Sequence, residues 1–265
     1  IVFGDAAGLV LTTASLVNTD IDIVNSGLLT AGPANNLLAI DTNGASTEIL
    51  NSGTVLGRID LTDQDDLFDN VAGGFFEARF TSDFGLGIDT VTNAGTVHTA
   101  NDPLAIENVV FNKLEFFNNT SGWISLVDGQ EGDTFTMGPA TQYLGQNGKL
   151  AVDAFLAPGV PGLSDTLTIN GATDGSTFLH VNLTNPIGST PNFVGIPVVI
   201  VNGATSEEDF NVAGGVLNAG FFAWDLELDG NTHELVTQGL GAGAFEFAAG
   251  ITGAQDIWYQ TTGVF

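Results

Sequence analysis

Val24-Asn25-Ser26-Gly27-Leu28, Leu50-Asn51-Ser52-Gly53-Thr54 and Thr92-Asn93-Ala94-Gly95-Thr96 are three copies of one phrase. Each sets an Asn, a small residue and a Gly between strand-forming residues. Ile21-Asp22-Ile23-Val24 leads into the first copy, Glu48-Ile49-Leu50 into the second and Asp89-Thr90-Val91 into the third. One short strand and one tight corner per repeat is the signature of stacked coils. The Asn residues are 26 and 42 positions apart. Coils of roughly 20–25 residues, with an inserted loop or one unmarked coil in the wider gap, fit that spacing. Leu114-Glu115-Phe116-Phe117-Asn118-Asn119 followed by Gly122-Trp123-Ile124-Ser125-Leu126-Val127 reads as a fourth, degenerate copy. Gly is expected at the corners because it takes positive φ without steric cost, and Asn because it tolerates that region. Stacked Asn side chains would also hydrogen-bond from coil to coil, as identical residues do in stacked β-structure.

Working outward, 35 Gly with abundant Thr, Val, Asn and Asp, and no long stretch of helical period, make the chain all-β. Ala157-Pro158-Gly159-Val160-Pro161-Gly162 divides it. Residues 1–160 read as coils with inserted loops, and 161–265 as a cap of longer, more aromatic strands. Those strands include Thr177-Phe178-Leu179-His180-Val181, Ile196-Pro197-Val198-Val199-Ile200-Val201, Phe221-Phe222-Ala223-Trp224 and Ile257-Trp258-Tyr259-Gln260. Trp224, Trp258 and Tyr259 are expected to build the cap's core. In the pairs Phe75-Phe76, Phe116-Phe117 and Phe221-Phe222, one ring should face inward and one outward, because strand neighbours alternate.

Charge excludes several partners. Lys and Arg number 4 against 31 Asp and Glu, a net charge of −27. The four bases are Arg58, Arg79, Lys113 and Lys149. Nucleic acid and anionic membrane both need Lys and Arg that are not there. No apolar run is long enough to span a membrane as a helix. There is no Cys, which removes disulfides, thiol catalysis and Cys-bound zinc. The first residue is Ile1, which reads as a processed or trimmed product.

Candidate chemistry is sparse. Asp60, Asp63, Asp65, Asp66 and Asp69 crowd into ten residues. Hard cations take several oxygen ligands, so Asp63, Asp65, Asp66 and Asp69 form a candidate calcium-type site, the alternative being a solvated acidic loop. Gly85-Leu86-Gly87-Ile88-Asp89-Thr90-Val91 partly matches a calcium-binding nonapeptide, in a single copy. Asn18-Thr19-Asp20 and Gln64-Asp65-Asp66 have the look of paired glycosidase acids, but they are too far apart and lack basic companions. His98, His180 and His233 have no ligand at metal spacing, and no Gly-x-Ser-x-Gly elbow is present. Catalytic and cofactor-binding residues are expected to be absent.

The order of several phrases resembles one family. Gly122-Trp-Ile-Ser-Leu-Val-Asp-Gly129, Gly132-Asp-Thr-Phe-Thr136, Ser164-Asp-Thr-Leu-Thr-Ile-Asn-Gly171, Gly195-Ile-Pro-Val-Val-Ile-Val-Asn-Gly203 and Asp256-Ile-Trp-Tyr259 look like the C-terminal part of an autotransporter passenger. The resemblance implies a right-handed parallel β-helix (solenoid) ending in a C-terminal β cap, an autochaperone-like, pertactin-like module. It also implies a linker and an outer-membrane barrel, which this stretch does not contain. It places the protein outside a Gram-negative cell, at the surface or released. The expected function is a non-enzymatic structural or adhesive rod whose partner is another copy or a host or cell-surface ligand. The alternatives are a subunit of an end-to-end filament or layer, and the stalk of a larger secreted enzyme. Ile1-Val2-Phe3 shows no cap of its own, so that end is expected to continue into further coils or meet another subunit.

Overall fold

The computed structural model describes residues 9–12, 20–31, 37–157, 163–185 and 190–262. Most of the Pro-Gly divider, residues 158–162, lies outside them, as do Ile1-Val2-Phe3 and the pair Asn18-Thr19. The described chain is a parallel β-helix with three faces. On the first face Ile21–Asn25, Thr47–Asn51, Leu67–Asn70, Thr90–Asn93, Phe116–Thr120 and the start of Gln142–Ala154 stack in parallel. On the second, Leu28–Thr30, Thr54–Asp60, Phe75–Ala78, Thr96–His98, Trp123–Ser125, the end of Gln142–Ala154, Thr173–Leu183 and Phe210–Val212 do the same. The third runs through Leu38–Asn43, Thr81–Asp83, Asn108–Asn112, Thr134–Gly138, Thr166–Ile169 and Ile196–Val201.

Alternating burial along each strand sends every second side chain inward, so one apolar core runs the length of the stack. Rings fill its middle. Phe111 lies 4.8 Å from Phe135 and 5.6 Å from Phe76, and Phe117, Tyr143 and Phe210 stack at 5.9 and 5.8 Å. The Phe pairs divide as expected in two cases: Phe76 and Phe117 are fully buried, while Phe75 and Phe116 face outward. In the third, Phe222 only packs against the core's edge and Phe221 meets Phe247 at 5.6 Å.

Parallel pairing continues as far as Phe210–Val212. The open edge of Ile196–Val201 is then covered by Thr232–Leu240, antiparallel, which pairs in turn with Phe222–Asp229 and that with Leu217–Ala219. This hairpin closes the sheet edge that a bare coil would leave unpaired. Trp224 and Leu235, one from each strand of this hairpin, are wholly buried.

Two expectations are corrected. Ile257-Trp258-Tyr259-Gln260 is not a strand, because Ala242–Thr262 is a helix. Trp258 and Tyr259 are 66% and 71% exposed, outside the cap's core. A helix satisfies its own backbone bonds, whereas a further strand would need another edge, and the Ala content of this segment favours the helix. Among the described residues no helix is long and apolar enough to cross a membrane. The second correction concerns the corner glycines. Neither Gly27, Gly53 and Gly95 nor the Asn residues before them have positive φ. A Cβ on Gly53 would sit 2.3 Å from the Gly27 carbonyl oxygen, and one on Gly95 2.2 Å from that of Gly74. At Gly53 and Gly95 glycine is required because successive coils approach closely, not because the corner is left-handed, whereas a Cβ on Gly27 would meet nothing among the described residues.

Candidate functional site

The polar interior sets this stack apart. Asn25, Asn51, Asn70, Asn93 and Asn119 lie in register at one corner, each 5% exposed or less. The side-chain NH2 of each donates to Oδ1 of the next, at 2.8, 2.8, 2.9 and 3.0 Å. The amides of Asn25, Asn51, Asn70 and Asn93 also donate to a backbone carbonyl past the corner, that of Thr54, Phe75, Thr96 or Trp123. Asn119 passes the row to the Tyr143 hydroxyl at 3.2 Å, which meets Thr177 Oγ1 at 2.8 Å. Asn70 is the unmarked coil of the wide gap. Val71-Ala72-Gly73 separate it from Gly74, which takes the close-approach position.

Acids do a related task at the other corners. Backbone N–H groups of Thr47, Asp66 and Asp89 donate to the carboxylates of Asp66, Asp89 and Glu115, each one coil further on. Nearer the C-terminus Glu107 N–H donates to Asp133, and the N–H groups of Gly132, Asp133 and Asp153 all donate to Asp165. Asp153 in turn accepts from the N–H groups of Asp128 and Gly129. Carboxylates thus satisfy corner N–H groups that would otherwise be buried without acceptors.

Burial pushes these carboxyls up, to about 6 for Asp66 and Asp133, about 7 for Asp89 and about 8 for Asp165. Neighbouring carboxylates add to the rise, and the donated hydrogen bonds oppose it without cancelling it. A carboxyl raised in the folded state contributes stability that is complete below its unfolded value and lost as pH rises through the folded one. The melting temperature is therefore expected to climb as pH falls from 8.5 to 5. Surface repulsion from the net charge acts in the same direction, but 0.5 M salt screens it and leaves the buried term. Thermal melts at both pH values in high salt check this, and an equal or higher melting temperature at pH 8.5 contradicts it. Asp209 behaves oppositely. Burial raises it, but hydrogen bonds from Thr173, Ser206 and Thr205 outweigh burial and hold it below the usual range, so its contribution is lost in stronger acid.

The candidate calcium residues part company. Asp66 is buried, its oxygens taken by Thr47 and Thr62. Asp65 accepts from Ile88 N–H, Asp63 is exposed, and Asp69 points outward on the first face between Leu50 and Thr92. Among the described residues no three acidic or histidine side chains gather closely enough to hold a metal ion. Gly85 and Gly87 press against the coil before them, at 1.4 Å from the Thr62 oxygen and 2.1 Å from the Gln64 oxygen for an added Cβ.

The histidines are dispersed. His98 faces Phe75 and His180 faces Trp123 on the outside of the second face. His233 is buried under the cap, edge-on to Phe210. Its Nε2 lies 3.0 Å from Thr205 Oγ1, and that hydroxyl donates to Asp209. In a nucleophilic triad the hydroxyl gives its proton to the imidazole. Here the proton goes to the acid, so the cluster ties the cap to the coils. Arg79, Phe80, Ile106 and Val109 line an open groove of about 360 Å³, where the guanidinium is held by Glu77 and Glu107.

Residues 112–226 match the family model described as Autochaperone Domain Type 1. Over 245 residues the chain is 31% identical to a protein of Escherichia coli (strain K12) named as probable autotransporter YfaL, a match that takes in 89% of this chain. The chain spans 18% of the length of that curated relative.

Proposed function

We infer, since this chain belongs to the autotransporter passengers and carries their autochaperone region, that it serves as a stiff rod with a structural or adhesive task outside the cell. Autotransporter kinship implies export to the cell surface or the extracellular space. The observation that supports a rod is the unbroken register of the Asn row over five coils, with no interruption between Asn25 and Asn119. A row in which each member completes its neighbour's hydrogen bonds resists bending and slippage. As a division of labour we propose residues 1–160 for the coils and 161–265 for the capping unit, the first part of which, to Phe210–Val212, still pairs in parallel with the coils before the antiparallel hairpin closes them. The capped end offers a formed edge on which the coil before it can pair, which suits a folding template. This reading is non-enzymatic for the stretch in hand. Activities and partners of the longer protein are a separate matter, and a catalytic domain elsewhere in it would make this stretch a stalk.

Negative-stain microscopy of the purified chain, with and without EDTA, tests the reading, together with binding of chain-coated beads to host cells. Isolated short rods that bind cells are the expected result. Globular particles, or rods that bind nothing and do not associate, would overturn it. Long filaments would keep the structural task and replace adhesion by end-to-end assembly. A calcium ion at Asp63–Asp69 is a separate proposal. It stands if calcium raises the melting temperature saturably and Asp65→Asn abolishes the rise, and it falls if calcium changes nothing.

A further inference from the structure

The outward side of the second face differs from the rest of the surface. Its first row, in register, is Thr54, Phe75, Thr96, Trp123, Lys149 and Phe178. The row beside it passes through Glu77, His98, Ser125, Ala151 and His180. Glu77 is the one acid in these stretches, and it is paired with Arg79. The first face by contrast presents Asp22, Glu48 and Asp69, and the third aligns Asp41, Asp60 and Asp83.

Three of the four bases are committed: Arg58 to Asp60, Arg79 to Glu77 and Glu107, and Lys113 to Asp83. Lys149 has no acidic partner among the described residues. Its ammonium sits 5.3 Å from the centre of the Trp123 ring and donates to the Ser121 carbonyl at 3.0 Å. An ammonium keeps further donors after one such bond. In the next row His180 lies one coil on and His98 two coils back, so cationic and neutral groups gather here on a strongly acidic chain.

The rings recur at a fixed interval. Phe75, Trp123 and Phe178 are each two coils apart, with Thr96 and Lys149 between them. At the spacing of neighbouring strands, two coils measure about 9.6 Å. That is close to the length of one disaccharide in an extended polysaccharide. Two of the three rings are steadied: Phe75 leans on His98 at 5.8 Å and Trp123 on His180 at 4.7 Å. Phe178 is 37% exposed, and Phe75 and Trp123 are partly exposed, less so than Phe178.

We propose that this face binds an extended acidic glycan lying along the coil axis, with alternate sugars stacked on Phe75, Trp123 and Phe178 and a sugar carboxylate at Lys149. The ring rows supply area and register, and the unpaired base selects the acidic chain over a neutral one. This rests on the adhesive reading and names the class of ligand for it.

The test is calorimetric titration of the chain with an octasaccharide of alternating glucuronate and N-acetylglucosamine, and with a neutral octasaccharide of N-acetylglucosamine. Saturable binding of the acidic probe, at least tenfold tighter than the neutral one, is expected. Trp123→Ala and Phe178→Ala should each weaken it about tenfold, and Lys149→Gln should remove the preference for the acidic probe. Asn118→Ala, on the first face, should change nothing. Circular dichroism melts confirm that each variant is folded, and two ring variants guard against one failing to fold. Absence of binding, equal binding of both probes, or full affinity in both folded ring variants overturns the proposal. Cell binding by beads coated with Trp123→Ala separates the two claims. If wild type and variant adhere equally, the glycan site is wrong and adhesion survives; if wild type does not adhere, the adhesive reading itself fails.

Discussion

Replacing Asn93 by alanine is expected to cost about 3–5 kcal/mol, much of the stability of a typical domain. Asn93 is fully buried and sits in the middle of the row. It accepts from Asn70 and donates to both Asn119 and the Trp123 carbonyl. Alanine fills little of the space and removes three buried hydrogen bonds, each loss costing about 1–3 kcal/mol, partly relieved by rearrangement, by entry of water and by the bonds that Asn70 keeps to the Thr96 carbonyl and Asn119 to Tyr143. Asn118, in the next coil and opposite Thr92, faces outward. Asn118→Ala should stay within about 0.5 kcal/mol of wild type. Urea unfolding of both variants makes the comparison, read as a shift in midpoint at unchanged slope. Similar midpoints for the two variants would mean that the row is ornamental and that the apolar core alone holds the coils. Because each coil contacts only its neighbours, a broken middle rung should also loosen the coupling between the two ends and broaden the transition.

Gly85→Ala is expected to be more severe, beyond about 4 kcal/mol, the range reserved for mutations that break a named structural constraint. Gly85 has φ of +102°, and a Cβ there would lie 1.4 Å from the Thr62 carbonyl oxygen. Backbone cannot yield as a flexible side chain can, so the two coils must separate. The same glycine belongs to the phrase that partly matches a calcium-binding repeat, which makes the variant diagnostic. If packing is the cause, the loss is the same in calcium and in EDTA. A loss that appears only in calcium would assign the glycine to an ion site instead. Chemical denaturation in the two buffers decides.

Much of the coil pattern could be read before any coordinates. Asn25, Asn51 and Asn93 announced the corners because each is followed at once by a small residue and Gly. Their side-chain row follows from identity in register, and the structure shows it. Asn70 escaped because three residues stand between it and its Gly74, and a spacing argument has no means to discount an insertion. The reason for the glycines was also hidden. Close approach depends on the neighbouring coil, which a local reading cannot see, so a φ explanation took its place.

The acids illustrate the same limit. Asp63, Asp65, Asp66 and Asp69 crowd together in sequence, but strand alternation and the corner turn Asp66 inward and Asp69 outward. What Asp66, Asp89, Asp133 and Asp165 have in common is a backbone N–H of another coil, about 20–30 residues away in chain. Ile257-Trp258-Tyr259 was misread because aromatic and β-branched residues in a chain rich in strands look like one more strand. The local Ala content was the contrary signal. The alignment of Phe75, Trp123 and Phe178 was beyond reach for a plainer reason. Coil lengths vary, so register cannot be counted from sequence.

The Asn row has one further property. Every side-chain NH2 in it points to the next coil and every oxygen to the one before. The amide dipoles are therefore aligned along the axis, not alternating, and the two ends of the row are chemically different. One end offers the Asn25 oxygen, and the other is taken up inside the stack by the Tyr143 hydroxyl and Thr177. The row is therefore closed at its C-terminal end by the coils and hairpin that follow, and it can be lengthened only ahead of Asn25, by a group that donates to the Asn25 oxygen. The rod has a built-in arrow, with one end of its polar row open to extension and the other sealed.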